Sequence, residues 1–65
     1  MKIVSIIIPA YNEENTIGIL LEKVIKVNLS DINFQKEIIV IDDGSTDRTA
    51  DICKEFENIK LVKQN

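Results

Sequence analysis

The 65-residue sequence predicts an α/β fold built on a parallel sheet. The run Ile38-Ile39-Val40-Ile41 is apolar and β-branched without polar alternation, so neither of its faces can be wet, the pattern of a central parallel strand covered on both sides. A second run, Ile3-Val4-Ser5-Ile6-Ile7-Ile8, has the same character. Between them Ile17, Leu20, Leu21, Val24 and Ile25 fall at i, i+3, i+4, i+7 and i+8, the spacing of one helix face. Two such strands joined by a helix make a βαβ unit whose strands end on the same side. Ligands bind at that carboxyl edge in open α/β sheets, because loops diverge there and helix N-termini point into the gap. Asp42 and Asp43, at the end of the second run, are therefore the first candidates for function.

Taken in order, the first strand spans Ile3 to Ile8 and is closed by Pro9, which lacks a ladder donor. Asn12 or Asn15 supplies the N-cap of the following helix, Glu13 and Glu14 suit its positive end, and Lys23 and Lys26 its negative end. Gly18 costs on the order of 1 kcal/mol in a helix against alanine; it either permits close approach to the sheet or to a ligand or is simply a tolerated glycine. Residues 28–36 read as a connection, with Ser30-Asp31 as breakers and Leu29, Ile32 and Phe34 as anchors on the core edge. The second strand then runs from Glu37 to Asp42.

After Gly44, Ser45 and Asp47 are competent N-caps, and Ala50, Cys53 and Phe56 with nearby Ile52 give a helix from about Asp47 to Glu57. Ile59 to Lys63 forms a short third strand. The order β-α-β-α-β with right-handed crossovers gives the spatial order 3-2-1, a three-layer, Rossmann-like parallel sheet with an open edge on the first strand.

Composition narrows the function. Sixty-five residues allow one small domain, and such a chain buries only about 60% of its unfolded surface. The net charge of −3, from 8 basic and 11 acidic residues, offers no basic stripe for nucleic acid. A lone cysteine, Cys53, within a helical pattern reads as a small buried hydrophobe. No apolar run approaches the roughly 18 residues that span a bilayer, and no basic segment precedes an apolar stretch. The expectation is a cytoplasmic, soluble chain.

Two blocks carry a resemblance. Ser5-Ile6-Ile7-Ile8-Pro9-Ala10-Tyr11-Asn12-Glu13-Glu14, followed by Val40-Ile41-Asp42-Asp43-Gly44-Ser45-Thr46-Asp47-Arg48-Thr49, resembles the opening of the family 2 glycosyltransferases, which have the GT-A fold. The polyprenyl-phosphate (dolichyl-phosphate) mannose and glucose synthases are the most similar group, sharing the Pro-x-Tyr-Asn-Glu and Asp-Asp-Gly-Ser blocks. The resemblance implies transfer of a hexose from a UDP- or GDP-sugar to an acceptor, plausibly a polyprenyl phosphate, with Mg2+ or Mn2+ neutralising the leaving diphosphate in the full-length family. It also implies that residues 1–65 are the N-terminal, nucleotide-sugar-binding piece of such an enzyme. The metal-binding Asp-x-Asp and the acceptor side of that family lie downstream, as would any membrane contact, so the chain alone is expected to be inactive and no catalytic residue is assigned to it.

Within that resemblance the nucleotide site comprises Pro9, Tyr11, Glu13, Ile41 and Asp43. Asp43 accepts from an imide or amide N–H of the base, a charge-assisted bond about twice as strong as a neutral one. Tyr11 offers a stacking face worth roughly 1–3 kcal/mol, against an alternative role as a half-buried core aromatic. Pro9 and Ile41 supply apolar walls, and Glu13 reaches a ribose hydroxyl. Asp42 is assigned to nearby turn amides and Asp47 to capping. Adjacent strand carboxylates point to opposite faces, so Asp42 and Asp43 cannot readily chelate one ion and no metal is assigned here.

An Asp-x-Asp-Gly-Thr phosphatase needs aspartates two apart after the first strand, and a response-regulator receiver needs acidic residues there together with later strands. Neither pattern is present. The alternative from another class is a non-catalytic module that self-associates through its open sheet edge. The same edge predicts a homodimer, since the first strand carries no charge, bulge or interior proline to discourage pairing.

Overall fold

The computed structural model describes residues 2–27 and 34–64. Their elements run β1 (Lys2–Ala10), α1 (Ile17–Lys26), β2 (Phe34–Asp43), α2 (Thr49–Lys54) and β3 (Ile59–Gln64). The three strands form one parallel sheet in the order β1-β2-β3, with β2 in the middle. The expected breakers and anchors Ser30, Asp31, Leu29 and Ile32 lie outside the described residues.

The strands are longer than the apolar runs alone suggest. β1 continues through Pro9 to Ala10. An edge strand bonds its one neighbour through alternate residues, which lets a proline sit in it without losing a ladder bond. β2 begins at Phe34 rather than Glu37, because Phe34-Gln35-Lys36-Glu37 alternates half-buried with exposed residues and pairs with Lys2 to Ser5. Lys36 also donates from Nζ to the Val27 carbonyl, tying the start of β2 to the end of α1.

Both helices lie against one face of the sheet. Ile8, Ala10, Ile38 and Val40 from the strands cluster with Ile17 and Leu21 of α1 and Cys53 of α2, with Ile6, Val24, Ile25, Ile52, Phe56, Ile59 and Leu61 around them. Each fully buried aliphatic side chain contributes about 1.5–3 kcal/mol, so truncating Leu21, 0% exposed, to alanine costs about 2–5 kcal/mol. The opposite face of β1 is uncovered, with Ile3 at 62% and Ile7 at 58% exposure. The described elements therefore make two layers, not three. Two crossovers that step the same way along a sheet put their helices on the same side, and a run such as Ile6-Ile7-Ile8 cannot reveal that by itself.

The helices differ from the expected ones at their ends. α1 begins at Ile17 after Thr16, which makes no side-chain capping bond; Asn12 and Asn15 are not its caps, and no acidic residue sits in its first turn. A turn in which Thr16 and Ile17 donate to the Glu13 carbonyl at 3.0 and 2.8 Å leads into it. Leu20 is 43% exposed, so the buried stripe is Ile17 and Leu21 with Val24 and Ile25 on its flank. α2 is shorter than Asp47 to Glu57, ending at Lys54 where Glu55 and Phe56 donate to carbonyls three residues back. A methyl group on Gly18 would meet Ile52 Cγ2 at 3.5 Å, so the close approach at this glycine is of α1 to α2 rather than to the sheet.

Candidate functional site at the carboxyl edge

The register assembles one side of the site. Pro9 pairs with Ile41, Ile41 with Val62, and Asp43 with Gln64. Paired neighbours in a parallel sheet share a face. Ile38 and Val40 are buried under the helices, so Ile39, Ile41 and Asp43 point to the open side, and Pro9 lies beside Ile41 there. Ile41 is half-buried, whereas Pro9 and Asp43 are exposed. Three of the five expected site residues thus form one contiguous patch.

Asp42 turns the other way. Its carboxylate is 1% exposed beneath the helices, and Oδ1 accepts the Ser45 N–H at 3.0 Å, the turn-amide role that the sequence assigns to it. That bond closes the turn in which Gly44 adopts a φ of +80°, a conformation that favours glycine. Burial, and then the negative charge of Asp42, raise the Cys53 thiol above its ordinary value, which leaves the cysteine a packed, unreactive group. Asp42 and Asp43 diverge, and among the described residues no three Asp, Glu, Cys or His side chains gather where they could hold a cation. The donor set does not fit a divalent-metal site.

The two remaining expected residues stand on the loop after β1. Tyr11 is 57% exposed, not a half-buried core aromatic. Glu13 is exposed, and its Oε2 accepts the Thr16 hydroxyl at 3.1 Å, which leaves other lone pairs of the carboxylate free.

That loop is held by the loop after β2, a feature absent from the sequence reading. Asn12 N–H donates to Ser45 Oγ at 2.9 Å, and Asn12 Oδ1 accepts the Thr46 N–H at 2.9 Å. Glu13 N–H donates to Thr49 Oγ1 at 2.7 Å, and Glu14 N–H to Asp47 Oδ2 at 3.2 Å. Three successive backbone donors on one loop are thus met by side chains of the other loop and of the first residue of α2. Asn12 takes a φ of +51°, which asparagine tolerates better than most residues.

Asp47 joins this clasp to α2. Its Oδ1 accepts both the N–H and the hydroxyl of Thr49, so it performs capping chemistry although Arg48 occupies the formal cap position. Desolvation works to raise the Asp47 carboxyl. The hydrogen bonds from the Thr49 hydroxyl and from the Thr49 and Glu14 amides outweigh it and hold the group below the ordinary aspartate value.

A cavity of about 430 Å³ opens at the amino end of the sheet around Ile3, Gln35, Ile38 and Ile59. It contains no carboxyl-edge residue.

A parallel α/β sheet with an acidic turn at its central strand and a clasped aromatic loop beside it defines a Rossmann-like class of domain. The Glycosyl transferase family 2 profile matches residues 5–65, and the chain belongs to that family. It is 44% identical over 69 residues to a dolichyl-phosphate beta-glucosyltransferase of Trichomonas vaginalis, covering 94% of this chain and 21% of that protein. An undecaprenyl-phosphate 4-deoxy-4-formamido-L-arabinose transferase of Proteus mirabilis is 42% identical over 57 residues, covering 88% and 17%. A minor teichoic acid biosynthesis protein of Bacillus subtilis is 44% identical over 66 residues, covering 91% and 14%. The chain spans about a fifth or less of the length of these curated relatives. No solved structure matches it. No helix among the described residues is long and apolar enough to cross a membrane.

Proposed function

We propose that residues 1–65 form the nucleotide-binding part of a GT-A glycosyltransferase that transfers a hexose from a UDP- or GDP-sugar to an acceptor, plausibly a polyprenyl phosphate. The observation that carries this reading is the open-face patch of Pro9, Ile41 and Asp43, flanked by the Tyr11 loop. Asp43 accepts an N–H from the base, Tyr11 stacks on its ring, Pro9 and Ile41 line the slot, and Glu13 takes a ribose hydroxyl. Uracil and guanine both present the required N–H, so this contact admits either nucleotide. The names of the Trichomonas and Proteus relatives support a polyprenyl-phosphate acceptor.

The divalent cation that the family implies would neutralise the departing diphosphate, and the described residues supply no ligand set for it. These residues bind and orient the donor, and the chain alone does not turn it over. A purified chain that transferred hexose from any UDP- or GDP-sugar above a contaminant control would contradict that statement. Binding itself is tested by titrating UDP and GDP against the amide NMR spectrum of the wild type and an Asp43→Asn variant.

Family membership disfavours the non-catalytic module as the origin of the fold. Self-association remains a proposal for this polypeptide. β1 pairs only with β2, its uncovered face carries Ile3 and Ile7, and Pro9, which lies inside the strand contrary to expectation and lacks a donor for the free edge, restricts such pairing to the segment before it. We infer a homodimer in which two β1 edges pair antiparallel about a two-fold axis.

A further inference from the structure

Gln64 ends β3 directly across from Asp43. The alternation that turns Ile59 and Leu61 toward the helices turns Lys60, Val62 and Gln64 to the open face, where Ile41 and Asp43 also lie. Adjacent strands are roughly 4.8 Å apart, so the sheet carries the Asp43 carboxylate and the Gln64 carboxamide side by side, with Ile41 and Val62 as the apolar floor one pair earlier. Both polar side chains are exposed, and they come from different strands that only the β2–β3 register brings together.

We propose that Gln64 is a specificity-determining residue of the nucleotide site, its carboxamide donating to the carbonyl oxygen that neighbours the N–H accepted by Asp43. The assignment rests on the nucleotide reading above and deepens it from a nucleotide to a class of base. A carboxylate is acceptor-only, whereas a carboxamide can donate. The pair therefore matches an edge that offers a donor beside an acceptor, as uracil does with N3–H and its flanking carbonyls and guanine with N1–H and O6. Cytosine and adenine present the opposite order, a ring-nitrogen acceptor beside an amino donor. Their ring nitrogen would face the Asp43 carboxylate, lone pair against lone pair, and their amino group would face the Gln64 donor, so the polar groups that the base covers would lose water without gaining a partner.

The test uses uridine and cytidine, which carry no phosphate, titrated into the 15N-labelled chain as wild type, Gln64→Ala and Gln64→Glu. Wild type is expected to prefer uridine by about fivefold to tenfold, with shifts at Tyr11, Ile41 and Asp43. Gln64→Ala lowers that ratio, the part set by Asp43 remaining, and Gln64→Glu, which replaces the donor by an acceptor for the cytosine amino group, lowers it further. The rest of the amide spectrum stays unchanged, since Gln64 is exposed. Uridine shifts that are absent or that cluster away from Tyr11, Ile41 and Asp43 overturn the nucleotide reading and this assignment together. Shifts at those residues with the same uridine-to-cytidine ratio in wild type and both variants, or a wild type that prefers cytidine, overturn the Gln64 assignment alone.

Discussion

Asn12 and Thr46, 34 residues apart, are joined across the carboxyl edge: the Thr46 N–H donates to Asn12 Oδ1 at 2.9 Å. Asn12 returns a bond through its own N–H to Ser45 Oγ, so one side chain and one backbone group hold two loops together. Its φ of +51° makes the residue type matter twice. Asn12→Ala loses the acceptor and strains the backbone, and should lower the unfolding free energy by about 2 kcal/mol in a urea titration. Asn12→Gly keeps the left-handed conformation, so it should cost about 1 kcal/mol less than the alanine variant. Equal losses would show that the conformation is not what the position selects.

The adjacent aspartates should separate stability from binding. Asp42→Ala leaves the Ser45 amide without its carboxylate and empties a buried position, costing about 1–3 kcal/mol by thermal or urea unfolding. Asp43→Ala, on the exposed face, should change stability by less than about 0.5 kcal/mol. Reversed magnitudes would mean that the two carboxylates are assigned to the wrong faces.

Much of this arrangement was legible in the sequence for definite reasons. An unbroken Ile-Ile-Val-Ile run marks the central strand, but the cover it predicts on both faces is found on one, since Ile38 and Val40 lie under the helices and Ile39 and Ile41 are half-buried on the open side. The turn after it contains residues whose roles are local, so Asp42, Asp43 and Gly44 could be placed. The helix face of Ile17 and Leu21 was equally plain, but Leu20 satisfied the same spacing while pointing outward, because a stripe's width is set by what packs against it. The first half of β2 was hidden because Phe34-Gln35-Lys36-Glu37 owes its strand geometry to pairing with β1 rather than to its own propensity. The clasp was invisible for a similar reason. Asn12, Ser45, Thr46 and Thr49 each look like an ordinary cap or turn residue, and only the fold brings them within hydrogen-bond reach. Val62 and Gln64 could not be set beside Ile41 and Asp43 without the β2–β3 register.

Acid should loosen the clasp through Asp47. Its folded-state pKa lies below the ordinary value of 3.8 because it accepts hydrogen bonds from Thr49 and Glu14. A depressed carboxyl contributes stability that is fully present above its unfolded pKa and is lost as pH falls through the folded one. The contribution therefore holds at neutral pH and declines from about pH 4 downward. Comparing wild type with Asp47→Asn by urea unfolding at pH 7 and at pH 3 checks this: the gap between them should narrow at the lower pH. A gap that widens on acidification would contradict the sign of the shift.

Assembly should depend on the β1 edge. Sedimentation equilibrium of the wild type should give a dimer, joining two three-stranded sheets into one of six. Ile7 shares the strand orientation of Pro9, so Ile7→Pro removes a donor from the free edge while sparing the bonds to β2, and should give a folded monomer. Ile6 faces the helices, which makes it the poorer choice for a variant. A wild-type chain that stays monomeric and folded at high micromolar concentration rules the dimer out.

The central claim is that the open face at the carboxyl edge binds the base of a nucleotide through Asp43, and an amide NMR titration with UDP tests it most directly. The chain offers base and ribose contacts but bears the full entropy of association, so the dissociation constant should be millimolar or weaker, about −4 kcal/mol or less favourable. The account predicts shifts clustered at Tyr11, Ile41 and Asp43, and binding at least about fivefold weaker in the Asp43→Asn variant. Shifts clustered elsewhere, or an Asp43→Asn chain that binds UDP as well as the wild type does, would contradict it.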